Sequence, residues 1–287
     1  MRFFSYIAAL LFISLSAYSL PTDSRVPGGI AVIELGKSTS APKVTFNKEN
    51  VLVTRKSEQE PWQAWVGIPL KQPLGTAHIE VNGQPQSFTV TSFDYPEQRL
   101  TVKNKHVNPN TEQMERISSE FKLMNKVYKS HTAQSELKSS GFEGMIWPLH
   151  GPQSSAFGLR RFFNDQERNP HSGIDIAAPT GTQITAPAAG KVVLTGDFYF
   201  NGKSVFIDHG QGLISMLCHM SEIDVNEGDM VNANDPIGLV GATGRVTGPH
   251  LHWTVSLNNA RIEPKLLLAP TQAKEPHQQT ANKHPSR

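Results

Sequence analysis

Apolar residues in the first third of the chain recur at every second position over short stretches, the pattern of strands with one buried face. Such runs occupy residues 30–35, 43–46, 50–54, 64–68 and 77–81, with turn formers between them. The alternation Ala77, Ile79, Val81 leads into Asn82-Gly83 and then residues 86–90. An Asn-Gly step suits two turn positions with positive φ, so a hairpin is expected, and Pro85 places its return strand at a sheet edge. The period then changes. Met114, Ile117, Phe121, Met124 and Val127 fall three and four apart after Pro109-Asn110-Thr111, which predicts a capped amphipathic helix. From Met145 to Leu268 the text returns to glycine-punctuated strands, including an apolar run over 212–220 and the alternation Leu251, Trp253, Val255, Leu257. The expected fold class is mostly β. A small N-terminal β-sandwich-like domain spans 20–101, a helical connector 102–141, and an antiparallel β domain 142–268.

The ends read differently. Residues 1–19 combine Arg2, an apolar run and Ala17-Tyr18-Ser19, which predicts a cleaved secretory signal peptide. The run is shorter than the ~20 residues of a spanning helix, so no stable membrane insertion is expected after cleavage. Export is the expectation, with the periplasm as destination and extracellular release as the alternative. Residues 269–287, rich in Pro, Gln, Lys and His, predict a disordered tail. The single cysteine, Cys218, excludes an intramolecular disulfide and a lipid-carrying cysteine behind the signal. Lys and Arg number 27 against 25 Asp and Glu, and a net charge of +2 is too small for a nucleic-acid binder that works by phosphate neutralisation.

The chemistry lies in the histidines of the third segment. His171 and Asp175 stand four apart around Gly173, and His250 and His252 flank Leu251 at the start of a strand, where residues i and i+2 share a face. Nitrogen and oxygen donors of this kind suit zinc. His219, near the end of the 212–220 run, is a candidate for general acid–base work because an imidazole titrates near neutral pH. Cys218 precedes it and should point the other way, which argues against a Cys/His nucleophile pair. His209, before Gly210, reads as structural, with an accessory role as the alternative. No H-E-x-x-H occurs, so the glutamate base of the common zinc proteases is missing.

Several segments together resemble a known family: Ser155-Ala156-Phe157-Gly158-Leu159-Arg160, His171-Ser172-Gly173-Ile174-Asp175 and the residues on to Gly181, Gly190-Lys191-Val192-Val193, Ile207-Asp208-His209-Gly210, and Gly244-Arg245-Val246-Thr247-Gly248-Pro249-His250-Leu251-His252-Trp253. Their order and content are similar to those of the lysostaphin-type (LytM-domain) zinc peptidases over residues 142–268. The resemblance implies an antiparallel β fold with a groove, one Zn2+ per catalytic domain, and cleavage of the peptide stems that cross-link bacterial peptidoglycan. It makes His171, Asp175 and His252 the metal ligands, and His219 and His250 the two histidines flanking the attacking water. One would serve as base and the other would bind the oxyanion, in either assignment. Leu217 stands where the family often has Tyr, and Thr254 where it often has an acid, which implies altered substrate fit. Arg160 and Arg161 are expected either to meet substrate carboxylates or to be ordinary surface residues. Two alternatives stand beside this reading: a zinc-binding or inactive LytM-type activator of other cell-wall hydrolases, and a secreted protease acting on glycine-rich proteins. The front half is also placed to cover the groove and hold the enzyme latent. The oligomeric state is left open.

Overall fold

Alternating β-favouring residues fold the front of the chain into two antiparallel sheets. In the computed structural model the described residues are 20–100, 109–133, 142, 144–163 and 166–269. The expected signal peptide, the tail beyond residue 269 and the connector flanks 101–108 and 134–141 lie outside them. One sheet orders its strands Ile30–Gly36, Trp62–Gly67, Leu52–Thr54; the other orders Glu49–Asn50, Val44–Phe46, Gly75–Val81, Gln84–Val90. Ala31, Ile33, Phe46, Val66, Ile79 and Phe88 meet in the core between them. The expected hairpin is present, with φ of 51° at Asn82 and 81° at Gly83, and Pro85 sits on the outermost strand.

This sandwich does not stand apart from the rest of the chain. Strand Trp62–Gly67 is apolar on both faces: Ala64 and Val66 enter the sandwich core, whereas Trp65, with Ile30 and Leu52, joins the core of the C-terminal domain. At the seam Asn258, in the left-handed region at φ 42°, closes two hydrogen bonds on Gly67. The Gly67 N–H donates to Asn258 Oδ1 at 2.6 Å, and Asn258 Nδ2 donates to the Gly67 carbonyl at 3.0 Å. A Cβ at Gly67 would collide with the Leu257 carbonyl, so glycine is what permits the close approach.

The C-terminal domain is built on one long sheet, in the order Met230–Val231, Gly190–Phe198, Gly202–Asp208, Leu213–Ile223, His250–Leu257, Ile174–Ala177, Gln153–Ser155. Its paired strands are antiparallel. Leu251, Trp253, Val255 and Leu257 point into the core. The helix spans Thr111–Tyr128 and opens with a capping box, in which Asn110 Oδ1 accepts from the Gln113 N–H and Gln113 Oε1 accepts from the Asn110 N–H, both at 2.9 Å. Its buried stripe is Ile117, Glu120, Met124 and Tyr128. Met114 and Phe121, expected on that stripe, sit on its flank and are 50% and 48% exposed. The polar member of the stripe is held: Glu120 accepts from the Tyr199 N–H at 2.8 Å and from Arg116 at 2.7 Å. Among the described residues no helix is long and apolar enough to cross a membrane.

Replacing Asn258 by Gly keeps the backbone conformation and removes both seam hydrogen bonds. It should cost about 2–3 kcal/mol of unfolding free energy in urea titration, because two buried backbone groups lose their partners. An unchanged midpoint would show that the seam carries no stability.

Candidate metal centre and groove

Antiparallel register brings the expected ligands together. Asp175 on strand Ile174–Ala177 pairs with His252 on strand His250–Leu257, and Ala177 pairs with His250. His171 enters just before the first strand, tied by its N–H to the Leu159 carbonyl and by its own carbonyl to the Gly158 N–H. Gly173 lets this segment lie against the second strand, since a Cβ there would collide with the Trp253 carbonyl. Three donor atoms converge as a result. His171 Nε2 lies 3.0 Å from Asp175 Oδ1, His252 Nδ1 lies 2.8 Å from the same oxygen, and the two nitrogens are 3.0 Å apart.

The far side of each ring decides what those atoms are. His171 Nδ1 is 2.7 Å from the Ala156 carbonyl, which can only accept, so Nδ1 carries the proton and Nε2 presents a lone pair. His252 Nε2 is 2.8 Å from Thr254 Oγ1. When it donates there, Nδ1 presents a lone pair as well. The neutral rings and the Asp175 carboxylate then aim three lone pairs at one point, an arrangement that repels itself unless a cation lies among them. Tetrahedral zinc with ~2.0–2.1 Å bonds sets its ligand atoms about 3.3 Å apart, close to the spacing seen. The residues therefore fit the metal. Burial opposes ionisation of Asp175, but hydrogen bonds donated by His171 and His252 when those nitrogens carry protons outweigh it and hold the carboxyl well below the usual range; a cation in their place acts in the same direction. Arg161 supports the same carboxylate, at 3.6 Å from Asp175 Oδ2, and donates to Ser155 Oγ at 3.1 Å.

His219 reaches the centre by a different device. Lys203 pairs with Met220 and Val205 with Leu217, so Cys218 and His219 together oppose Ser204 in a bulge. His219 takes φ 64° and its N–H turns to the Asn201 carbonyl. Cys218 goes into the core with Phe206, Ile214 and Met216, and burial raises its thiol to about 12, which makes it inert. The His219 and His250 rings lie 4.9 Å apart. Each Nδ1 donates to a carbonyl of the same loop, Thr243 at 3.0 Å and Gly248 at 2.9 Å, which leaves each Nε2 unprotonated in the neutral ring. Burial, and then the neighbouring His252 and His250, lower His219 to about 3. His209 lies apart from this cluster, wholly enclosed between the Ala189 carbonyl and Ser215 Oγ, both at 2.8 Å.

The centre lines an open groove of about 590 Å³. The front half supplies one wall: Gln98, and Phe121, Met124, Asn125 and Tyr128 of the helix. Of the two arginines expected to meet substrate, Arg161 lines the groove, whereas Arg160 does not and is held by Glu97 at 2.8 Å. In the sequence Thr254 stands out only as a departure from the family pattern. Its role was available from the i, i+2 rule, since it shares a strand face with His252. The carbonyls of Ala156, Thr243 and Gly248 carry no side-chain signal and could not have been picked out.

A mostly antiparallel β fold with a His–Asp–His cluster able to hold a metal ion in an open groove is consistent with a metallopeptidase. Residues 169–264 match the model of Peptidase family M23, and residues 23–93 match that of the Peptidase family M23 N-terminal domain. A crystal structure of a putative peptidase M23 from Pseudomonas aeruginosa is 41% identical, covers 86% of this chain and 96% of its own, and superposes with a TM-score of 0.72. The chain belongs to peptidase family M23. Among curated relatives, the DD-carboxypeptidase/endopeptidase Mpg of Neisseria meningitidis is 38% identical over 118 residues, 41% of this chain and 27% of that protein. The peptidoglycan DD-endopeptidase ShyA of Vibrio cholerae is 43% identical over 101 residues, 35% of this chain and 24% of that protein. The chain thus matches about a quarter of each relative's length.

Thr254→Val keeps the side-chain shape and removes the oxygen that fixes the His252 ring. Zinc affinity, measured by competition with a chromophoric chelator, should fall about 10–100-fold, the usual cost of losing such a partner. Unchanged affinity would show that Thr254 does not orient the ligand.

Proposed function

We propose that this chain is an exported zinc endopeptidase that hydrolyses peptide cross-links of bacterial peptidoglycan in the periplasm. The observation that carries this is the convergence of three potential metal-ligand atoms of His171, Asp175 and His252 beside two further imidazoles whose Nδ1 atoms meet backbone carbonyls. The names of the two curated relatives supply the substrate class and point to a bond between D-residues.

His171, Asp175 and His252 would hold the metal. When bound, zinc supplies Lewis-acid polarisation of the scissile carbonyl and lowers the pKa of the attacking water. The chain's own residues do the rest. The Nε2 atoms of His219 and His250 are the basic positions that face the groove; one accepts the proton of the attacking water. That proton is then delivered to the leaving amine, while the other imidazole, after taking up a proton from solvent, donates from Nε2 to the oxyanion. Arg161 and Ser155 hold Asp175 and His171 in place. The helix and Gln98 form a wall along which an extended peptide can lie.

Zinc-loaded protein should convert cross-linked dimers in isolated sacculi to monomers, with chelation stopping the conversion. His219→Ala and His250→Ala should retain zinc yet lose about 10²–10⁴ in turnover, the scale of general acid–base assistance. His252→Ala should lose the metal itself. Sacculi left intact by zinc-loaded wild type would overturn the proposal.

A further inference from the structure

The polar character of the groove is lopsided. Asp175 is the one acid among the described residues that line it, against three arginines, Arg161, Arg245 and Arg261. Two of these are engaged: Arg161 with Asp175 and Ser155, Arg261 with the Asn259 carbonyl at 2.8 Å and the Tyr128 ring at 3.5 Å. Arg245 differs. Its guanidinium lies 4.2 Å over the Phe200 ring, and among the described residues no carboxylate or hydrogen-bond acceptor meets it.

Its position is built rather than incidental. The loop over residues 241–249 is the same segment whose Thr243 and Gly248 carbonyls orient His219 and His250. It is locked against the turn at 200–202. The Arg245 N–H donates to the Phe200 carbonyl at 2.9 Å, and the Lys203 N–H donates to Thr243 Oγ1 at 2.9 Å. Gly202 and Gly244 pack so closely that a Cβ on either would strike the other's backbone. Phe200 is itself flanked by Phe121 of the helix at 6.4 Å. Stacking leaves the planar fork of an arginine pre-set for bidentate hydrogen bonds at its edge. Arg245 is exposed on the groove side, and Arg168 and Arg161 add positive charge nearby, with Tyr199 acting in the opposite direction, so the fork is open to an anion that enters the groove.

We infer that Arg245 is a specificity-determining residue that binds a free carboxylate on the stem peptide beside the scissile amide. This rests on the endopeptidase reading above and deepens it: the substrate class becomes cross-links whose flanking carboxylate is unmodified, in preference to those carrying a carboxamide there.

Two matched probes test it, a cross-linked stem-peptide dimer with that carboxylate free and the same dimer amidated. Zinc-loaded wild type should favour the acid in kcat/KM by about 10–100-fold, the worth of a charge-assisted hydrogen-bonded pair. Arg245→Met, which keeps an apolar stack on Phe200, should bring that ratio close to one, and Arg245→Lys should leave an intermediate ratio. The ratio is its own control, because a folding defect lowers both arms together. Equal cleavage of both probes by wild type, or an undiminished preference in Arg245→Met, would overturn the inference while leaving the endopeptidase intact. If neither probe is cut, the endopeptidase reading fails. Calorimetric binding of the uncross-linked acid and amide stems to wild type and Arg245→Met then decides the inference: an Arg245-dependent preference sustains it, and equal affinities overturn it.

Discussion

Three lone pairs aimed at one point constrain the rest of this molecule. His171 Nε2, Asp175 Oδ1 and His252 Nδ1 lie 2.8–3.0 Å apart; the Ala156 carbonyl commits the His171 proton to Nδ1, and Thr254 can accept that of His252 at Nε2. A set of atoms so placed is unfavourable in isolation, because like charge and lone pairs crowd without compensation. It becomes favourable when a cation joins them, and metal binding free energy then contributes directly to the stability of the surrounding strands. The features around it keep the set from relaxing: the register of Asp175 against His252, the missing side chain at Gly173, and Arg161 and Ser155 behind the carboxylate and the first imidazole.

The second pair of histidines depends on irregular backbone, which is a different engineering problem. A regular strand would have set His219 in line with the ladder, and the bulge opposite Ser204 turns it out instead. A residue other than glycine at φ 64° is strained, and the strain is held in place by the neighbouring loop. That loop fixes both rings through its carbonyls and brings Arg245 to the same groove. The proposed acid–base groups and the proposed substrate contact would thus share one support, and small shifts in the loop would alter both together.

Much of this was legible in the sequence, and the reasons differ by element. The hairpin at Asn82-Gly83 follows from turn chemistry alone. The shared face of His250 and His252 follows from strand periodicity, and so would the contact of Thr254 with His252. The joining of the front sandwich to the catalytic domain was not read, although Ala64-Trp65-Val66 offered a hint, being apolar on both faces where a free sheet would alternate. The helix was read correctly as amphipathic, but its stripe is offset because Glu120 is buried on Tyr199 and Arg116, a tertiary partnership that periodicity cannot foresee. Arg245 lies in plain view within the resembling segment, yet its stacking on Phe200 and its place in the groove lining are visible only in the structure.

The open metal position is the claim on which catalysis turns, since His250 Nε2 lies only 3.9 Å from Asp175 Oδ1 and could in principle close the site. X-ray absorption at the zinc edge of the loaded full-length protein tests this most directly. The account predicts a shell of two imidazole nitrogens, one carboxylate oxygen and one light atom from solvent. A shell with three or more imidazoles, or with sulfur, would contradict it.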